Sequence, residues 1–237
     1  MKVLGIIPAR GGSKGVPRKN VKILAGKPLL QWTAEAALKS NLDRVILSSE
    51  DSEIIASARS AGVEIPFARP KELAKDDTPA IEVVIHAVEE LKRSEEYHPE
   101  AVMLLQPTSP LRTTKHINEA LHLFSLHPEA TSLVSVVKLS HNLVPESLMQ
   151  LDKNGYLNHL QSWDERRNLR QEKPVYYARN GAAIYLVKIS CLLEENSLYG
   201  ARILPYEMSR EESVDIDDLF DFEMCEYLLE KRRKAQI

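Results

Sequence analysis

The chain has 237 residues, 43% hydrophobic and 27% charged, with a formal net charge of −3 at pH 7. That balance supports a folded core and excludes a globally disordered or collagen-like chain. It also argues against a surface that binds nucleic acid broadly, while leaving room for a local basic pocket. At roughly 150 residues per domain, one large domain with a small insert is expected. Cys191 and Cys225 are the only cysteines and are far apart in sequence, so neither a disulfide framework nor a zinc site is expected. The seven histidines show no zinc-ligand spacing. No apolar run approaches the roughly 18 residues of a membrane span. The apolar run at 3–7 is too short for a signal peptide, so a cytoplasmic location is expected.

In chain order, residues 3–7 (Val-Leu-Gly-Ile-Ile) predict a first buried strand. Residues 29–38 carry helical apolar spacing, 44–48 read as a strand, 54–61 as a helix and 63–67 as a short strand. Ile81, Val84, Ile85, Val88 and Leu91 form one stripe of a helix. A strand at 101–105, a helix near 115–125 and a strand at 133–137 follow. Strand and helix alternate at the pitch of βαβ units, which predicts a mostly parallel sheet covered on both faces. Ligands of such sheets bind beyond the carboxyl ends of the strands.

The rhythm breaks at 138–173, read as an insert. Two apolar runs flank Asp152-Lys153-Asn154-Gly155, a β-hairpin signal in which Asn-Gly supplies positive φ angles. A strand-like run returns at 181–187, and 218–234 predicts a final helix with a basic C-terminal end suited to its dipole.

Residues 8–20 read Pro-Ala-Arg-Gly-Gly-Ser-Lys-Gly-Val-Pro-Arg-Lys-Asn. Three glycines let the backbone curl and turn amides toward an anion. Arg10, Lys14, Arg18 and Lys19 crowd four cations beside them, which calls for a compensating anion, for which a polyphosphate fits well, or else for an open, solvated loop. The loop is neither a Walker A loop nor Gly-x-Gly-x-x-Gly. Gly11-Gly12-Ser13-Lys14-Gly15 matches the Gly-x-Ser-x-Gly nucleophile elbow literally, but Pro17 and further basic residues prolong the loop where an elbow enters a helix directly. Gln106–Arg112 forms a second post-strand loop, stiffened by two prolines. Gln106, Thr108 and Ser109 offer polar groups to a hydroxylated substrate, and Arg112 suits a forked contact with a carboxylate. Asp215 and Asp217 stand at i and i+2, so an extended backbone puts both on one face, where they suit Mg²⁺. The competing reading is that Asp217 or Asp218 caps the last helix. Asp76, Asp77 and Thr78 precede a predicted helix and read equally as caps.

Residues 7–20 closely resemble the N-terminal signature of acylneuraminate cytidylyltransferases, the CMP-sialic acid synthetases and their relatives acting on other nonulosonic acids. The resemblance continues through Gly26-Lys27-Pro28-Leu29, Arg69-Pro70-x-Glu72-Leu73, Gln106–Arg112, Asn180-Gly181 with Ile184-Tyr185, and Ser213-Val-Asp-Ile-Asp217, and so covers nearly the whole chain. It implies a three-layer, Rossmann-like α/β nucleotidyltransferase fold with the hairpin insert as a dimerisation element. It implies that CMP passes from CTP to the anomeric hydroxyl of an acidic nine-carbon sugar, with a divalent cation, normally Mg²⁺, and no nucleic acid or membrane partner. Arg10 and Lys19 would contact the phosphates, with the backbone of Gly11 and Gly12, Ser13, Lys14, Asn20, Arg69 and Thr78 completing the nucleotide site. Gln106 stands where many sugar nucleotidyltransferases have a metal-binding aspartate, which leaves the metal to Asp215 and Asp217. Asp217 would also accept the proton of the attacking hydroxyl. Arg179, Asn180 and Tyr199 would reach the sugar. Arg170, in a run with Arg166 and Arg167, would serve a site shared across a homodimer. Alternatives are an eight-carbon ulosonic acid as acceptor, a nucleotide sensor on the same fold, and a hydrolase using Ser13.

Overall fold

A computed structural model describes residues 1–160 and 174–235. In chain order come β1 (Val3–Pro8), a small hairpin of β2 (Ile23–Leu24) and β3 (Lys27–Pro28), and α1 (Leu29–Leu38). Then follow β4 (Arg44–Ser48), α2 (Ser52–Ser60), α3 (Ala80–Glu95), β5 (Ala101–Leu104), α4 (Thr114–Ser125) and β6 (Ser132–Lys138). A hairpin of β7 (Met149–Leu151) and β8 (Leu157–His159) precedes β9 (Tyr177–Arg179), β10 (Tyr185–Lys188), α5 (Ile189–Glu194), β11 (Ile203–Glu207) and α6 (Leu219–Lys234).

The main sheet runs β11-β6-β10-β5-β1-β4, with β9 joined to β6. β1, β4, β5, β6 and β11 share one direction, while β9 and β10 oppose them. Alternation along the strands divides the core. Val3, Ile7, Leu47 and Met103 pack with α1, α2 and α4, whereas Leu4, Ile6, Val102 and Leu104 pack with α3 and α5. The fold is thus three-layered and Rossmann-like, as expected. A third cluster of Val16, Leu24, Leu29, Leu111, Ile216, Phe222 and Leu229 clamps α6 to the β2–β3 hairpin and to three loops.

Local chemistry fixes the helix starts. Asp51 accepts from the amides of Glu53 and Ile54, both at 3.0 Å. Thr113 with His116, and Asp218 with Asp221, form reciprocal capping boxes. The parallel strands end on one edge, so the loop after β1, residues 49–50 after β4 and the loop after β5 converge there.

Three expectations change. The strand at 63–67 reduces to a single bridge between Ile46 and Glu64. Residues 181–184 lead into β10 instead of starting it. In the expected hairpin only Gly155 takes positive φ, 86°, while the Asp152 carboxylate accepts the amides of Asn154 (2.8 Å) and Tyr156 (2.9 Å). The turn is therefore stabilised by an aspartate rather than by a pair of left-handed residues. β11 escaped the sequence reading because Pro205 interrupts it, which its edge position tolerates.

Candidate active site

A cleft of about 380 Å³ opens at the shared strand edge. Its basic wall is the loop after β1, which contributes Arg10, Gly12, Ser13, Lys14, Gly15, Lys19 and Asn20. Arg69 and Thr78 close a second side, and Gln106, Thr108 and Asp217 a third. The structure thus brings together most of the residues expected at the nucleotide.

The glycines work differently from expectation. None of Gly11, Gly12 and Gly15 has positive φ. A Cβ on Gly15 would collide with the carbonyl of Asp217, and one on Gly11 with the Asp51 carboxylate. These glycines therefore let the loop press against other segments. The Gly11 amide is engaged, donating to Glu50 Oε1 at 2.7 Å, and Gly11 does not line the cleft. Gly12 has open space around it.

The cations are held in defined positions. Arg10 and Lys14 both pair with Asp76, Lys14 at 2.8 Å. Asp76 is thus a counter-ion and not a helix cap; Pro79 occupies the cap position of α3, with no side-chain capping bond. The Thr78 hydroxyl donates weakly to the Glu72 carbonyl at 3.4 Å. Arg18 turns away to Asp51 and Glu53. Asn20 is buried and donates to the Arg10 carbonyl at 3.0 Å, which ties the two ends of the loop. Arg69 is buried and donates to the Ser48 hydroxyl at 3.0 Å and to the Ser48 carbonyl. Burial pulls its pKa down to about 10 against the pull of Glu50.

Lys19, Asp215 and Asp217 form the centre of the site. Lys19 Nζ donates to the Ile216 carbonyl, between the two aspartates. Burial lowers the Lys19 pKa, while Asp217 and Asp215 raise it. Burial raises Asp215, opposed by the hydroxyls of Thr108 and Ser109, the latter bonded at 3.1 Å. Gly181 packs directly on the Asp215 carboxylate. The capping alternative falls to Asp218, whose side chain accepts the Asp221 amide at 3.0 Å; Asp217 keeps its carboxylate exposed on the cleft. No cluster of three or more His, Cys, Asp or Glu suited to a metal occurs among the described residues. Two carboxylates nevertheless suit Mg²⁺, which usually takes only one or two from the protein and completes its shell with water and substrate phosphates.

A second cleft, of about 610 Å³, shares Ala80 and Gln106 with the first. Arg179 donates to the Tyr199 hydroxyl and lies 5.2 Å above its ring, and Tyr185 meets Tyr199 edge-on at 5.7 Å. Tyr185 was missed by the sequence reading because it reads as a core strand residue. Glu50 was missed too: nothing local distinguishes it from other surface acids.

Three expected substrate residues are structural instead. Arg112 is buried, and its guanidinium donates to the carbonyls of Gln106 (3.2 Å) and Ala183 (2.6 Å) and to the Thr33 hydroxyl (2.6 Å). It fastens the loop and lines neither of the two clefts described above. Ser109 is buried and holds Asp215. Asn180 is buried, accepting from Ser135 at 2.7 Å and donating to Ser213 at 3.0 Å. Arg166, Arg167 and Arg170 lie outside the described residues.

A family model described as cytidylyltransferase matches residues 4–235. The chain belongs to the cytidylyltransferase family. It is 34% identical to a CMP-N,N'-diacetyllegionaminic acid synthase of Legionella pneumophila over the full length of both chains. It is 35% identical to an N-acylneuraminate cytidylyltransferase of Escherichia coli, covering all of this chain and 54% of that protein, so it spans about half that relative's length. It is 32% identical to a pseudaminic acid cytidylyltransferase of Campylobacter jejuni, covering 96% of each chain. A solved CMP:2-keto-3-deoxy-manno-octonic acid synthetase complexed with CTP shares the fold, with a TM-score of 0.72, 17% identity and coverage of 98% of this chain and 100% of that one. The nucleotidyltransferase class and the α/β fold expected from the sequence are therefore borne out.

Proposed function

We propose that this cytidylyltransferase transfers CMP from CTP to the anomeric hydroxyl of a nonulosonic acid and releases pyrophosphate. The observation that carries this reading is the convergence of Lys19 and Asp217 at one cleft, with Asp215 close enough behind them to act on the Lys19 charge and Gln106 joining that cleft to the one of Arg179 and Tyr199. Relatives above 30% identity bear names of enzymes for three such acids, which supports a nine-carbon acceptor over the eight-carbon one.

In this reading the triphosphate occupies the first cleft. Its phosphates displace Asp76 from Arg10 and Lys14, and Lys19 meets the charge on the α-phosphate. The sugar hydroxyl attacks the α-phosphorus, the bond to the β-phosphate oxygen breaks, and pyrophosphate leaves. Asp217 accepts the hydroxyl proton, and Gln106 orients the sugar between the clefts. Asp215 and Asp217 would hold Mg²⁺, which when bound supplies positive charge to the phosphates. The remaining work is positioning and charge neutralisation. We assign the homodimer, with Arg170 reaching a neighbouring site, and the cytoplasmic location to the same reading. No helix among the described residues is long and apolar enough to cross a membrane, which is compatible with that location.

A pyrophosphate-release screen of nucleoside triphosphates against ulosonic acids tests it. CTP with a nonulosonic acid is the expected pair, and excess chelator should abolish turnover. Equal rates with ATP and GTP, or full turnover in chelator, would refute the reading. A faster eight-carbon acceptor would select the alternative sugar class.

A further inference from the structure

Behind the loop after β5 lies a separate cleft of about 370 Å³, walled by α1, that loop and the end of α6. Trp32, Ala36, Pro110 and Leu229 give it apolar surface. Lys39, Arg112, Arg232 and Arg233 set four cations around it against one carboxylate, Glu35, which Lys27 already pairs at 2.6 Å. Arg232 is partly engaged, by the Leu111 carbonyl at 3.1 Å and Glu212 at 3.7 Å. Lys39 and Arg233 are exposed and make no ion pair among the described residues. The charge of Lys39 at the end of α1, and of Arg232 and Arg233 at the end of α6, suits the helix dipoles. That argument does not account for Arg112.

Arg112 is 2% exposed, and both of its terminal nitrogens are bonded. Its Nε is buried with no acceptor. A buried guanidinium N–H without a partner is costly, and native structures rarely leave one. Arg112 forms part of the wall of this cleft, and Thr113, the N-cap of α4, and Thr114, its first residue, border the same space. An anionic oxygen entering there would meet the positive field of Arg112 just beneath the wall, a helix N-terminus and two free cations at once.

We propose that this cleft is a second ligand site, taking a phosphomonoester on a planar or apolar body. Four cations match a dianion better than a carboxylate, and the Trp32 wall matches a planar body. The site adjoins the active-site loop but is distinct from the phosphate cleft: the two share no lining residue.

Trp32 is also the reporter. In a full-length Trp163→Phe variant it is the sole tryptophan, since the chain has two. Phenyl phosphate should change its fluorescence saturably below about 10 mM, and benzoate and inorganic phosphate should bind at least about tenfold more weakly, a gap of about 1.4 kcal/mol. Adding Lys39→Glu and Arg233→Glu should abolish the response while leaving the melting temperature unchanged. If that pair melts lower, Lys39→Gln with Arg233→Gln replaces it, with at least about a tenfold loss expected by the same arithmetic. The proposal is overturned by an absent or non-saturating response, by a response that survives both substitutions, or by phenyl phosphate binding no better than either control.

Discussion

Lys19 and Asp217 both line the cleft, with Lys19 bonded to the Ile216 carbonyl beside Asp217, and each is predicted to act by contact rather than by bulk charge. Asp217→Asn should lower kcat by about 10²–10⁴-fold, the usual span for a lost general base, with an unchanged melting temperature. A loss below about tenfold at saturating Mg²⁺ would remove Asp217 from the proton-transfer role. Lys19→Ala should depress kcat/KM for CTP far more than Lys22→Ala, because Lys22 does not line the cleft and sits 5.5 Å over the Phe222 ring. Equal effects would mean that general positive charge is what matters. Gly181 holds φ at +69°, and a Cβ there would lie 2.6 Å from both carboxylate oxygens of Asp215. Gly181→Ala should therefore cost about 1–3 kcal/mol of stability from backbone strain and also displace Asp215, lowering kcat. Thermal melts and turnover should fall together; loss of stability alone would separate Asp215 from the reaction.

At the scale of elements, the start of α4 carries a testable pH dependence. His116 Nδ1 accepts the Thr113 amide at 3.2 Å, a bond that requires an unprotonated Nδ1. Glu212 stands 3.2 Å from its Nε2 and, with Glu119, favours the charged ring, whereas Arg232 opposes it. Burial outweighs these acids and lowers the His116 pKa. The native state thus binds a proton less readily than the unfolded chain, whose histidines titrate near about 6.5. The stabilisation is present above that pH and is lost as pH falls through it. The melting temperature should drop between pH 7.5 and 5.5 by more in the wild type than in His116→Gln. Equal drops would show that His116 is not the group responsible.

At the scale of the whole molecule, the β7–β8 hairpin stands exposed. Leu151 is 65% exposed and Leu157 59%, and Leu148, Met149 and Leu160 are exposed beside them. A lone two-stranded hairpin is marginal in water without something to pack on. Light scattering should therefore give twice the 26.8 kDa chain mass. A fully active monomer at micromolar concentration would end the idea. A shared site goes further: mixing inactive Arg170→Ala and Asp217→Asn proteins should restore activity through hybrid dimers. None despite confirmed subunit exchange would confine each site to one chain.

The sequence by itself determined the alternating β and α elements, because apolar periodicity encodes which faces are buried. It also marked out the basic loop after β1 and the Asp215–Asp217 pair as candidates, because their spacing is local and their charge density has few other uses. Tertiary structure alone decided how these residues are employed. Arg112, Ser109 and Asn180 look like active-site ligand-binding side chains in sequence, yet all three are buried, and the hydrogen bonds they make there go to the protein. Asp76 looks like a cap until the fold carries it to Arg10 and Lys14, more than sixty residues away in the chain. Asp217 and Asp218 are neighbours of the same type, and the packing of α6 makes one a cap and leaves the other in the cleft. Side-chain identity sets what a residue is able to donate or accept; which partner it meets depends on contacts distant in sequence, which no local pattern carries.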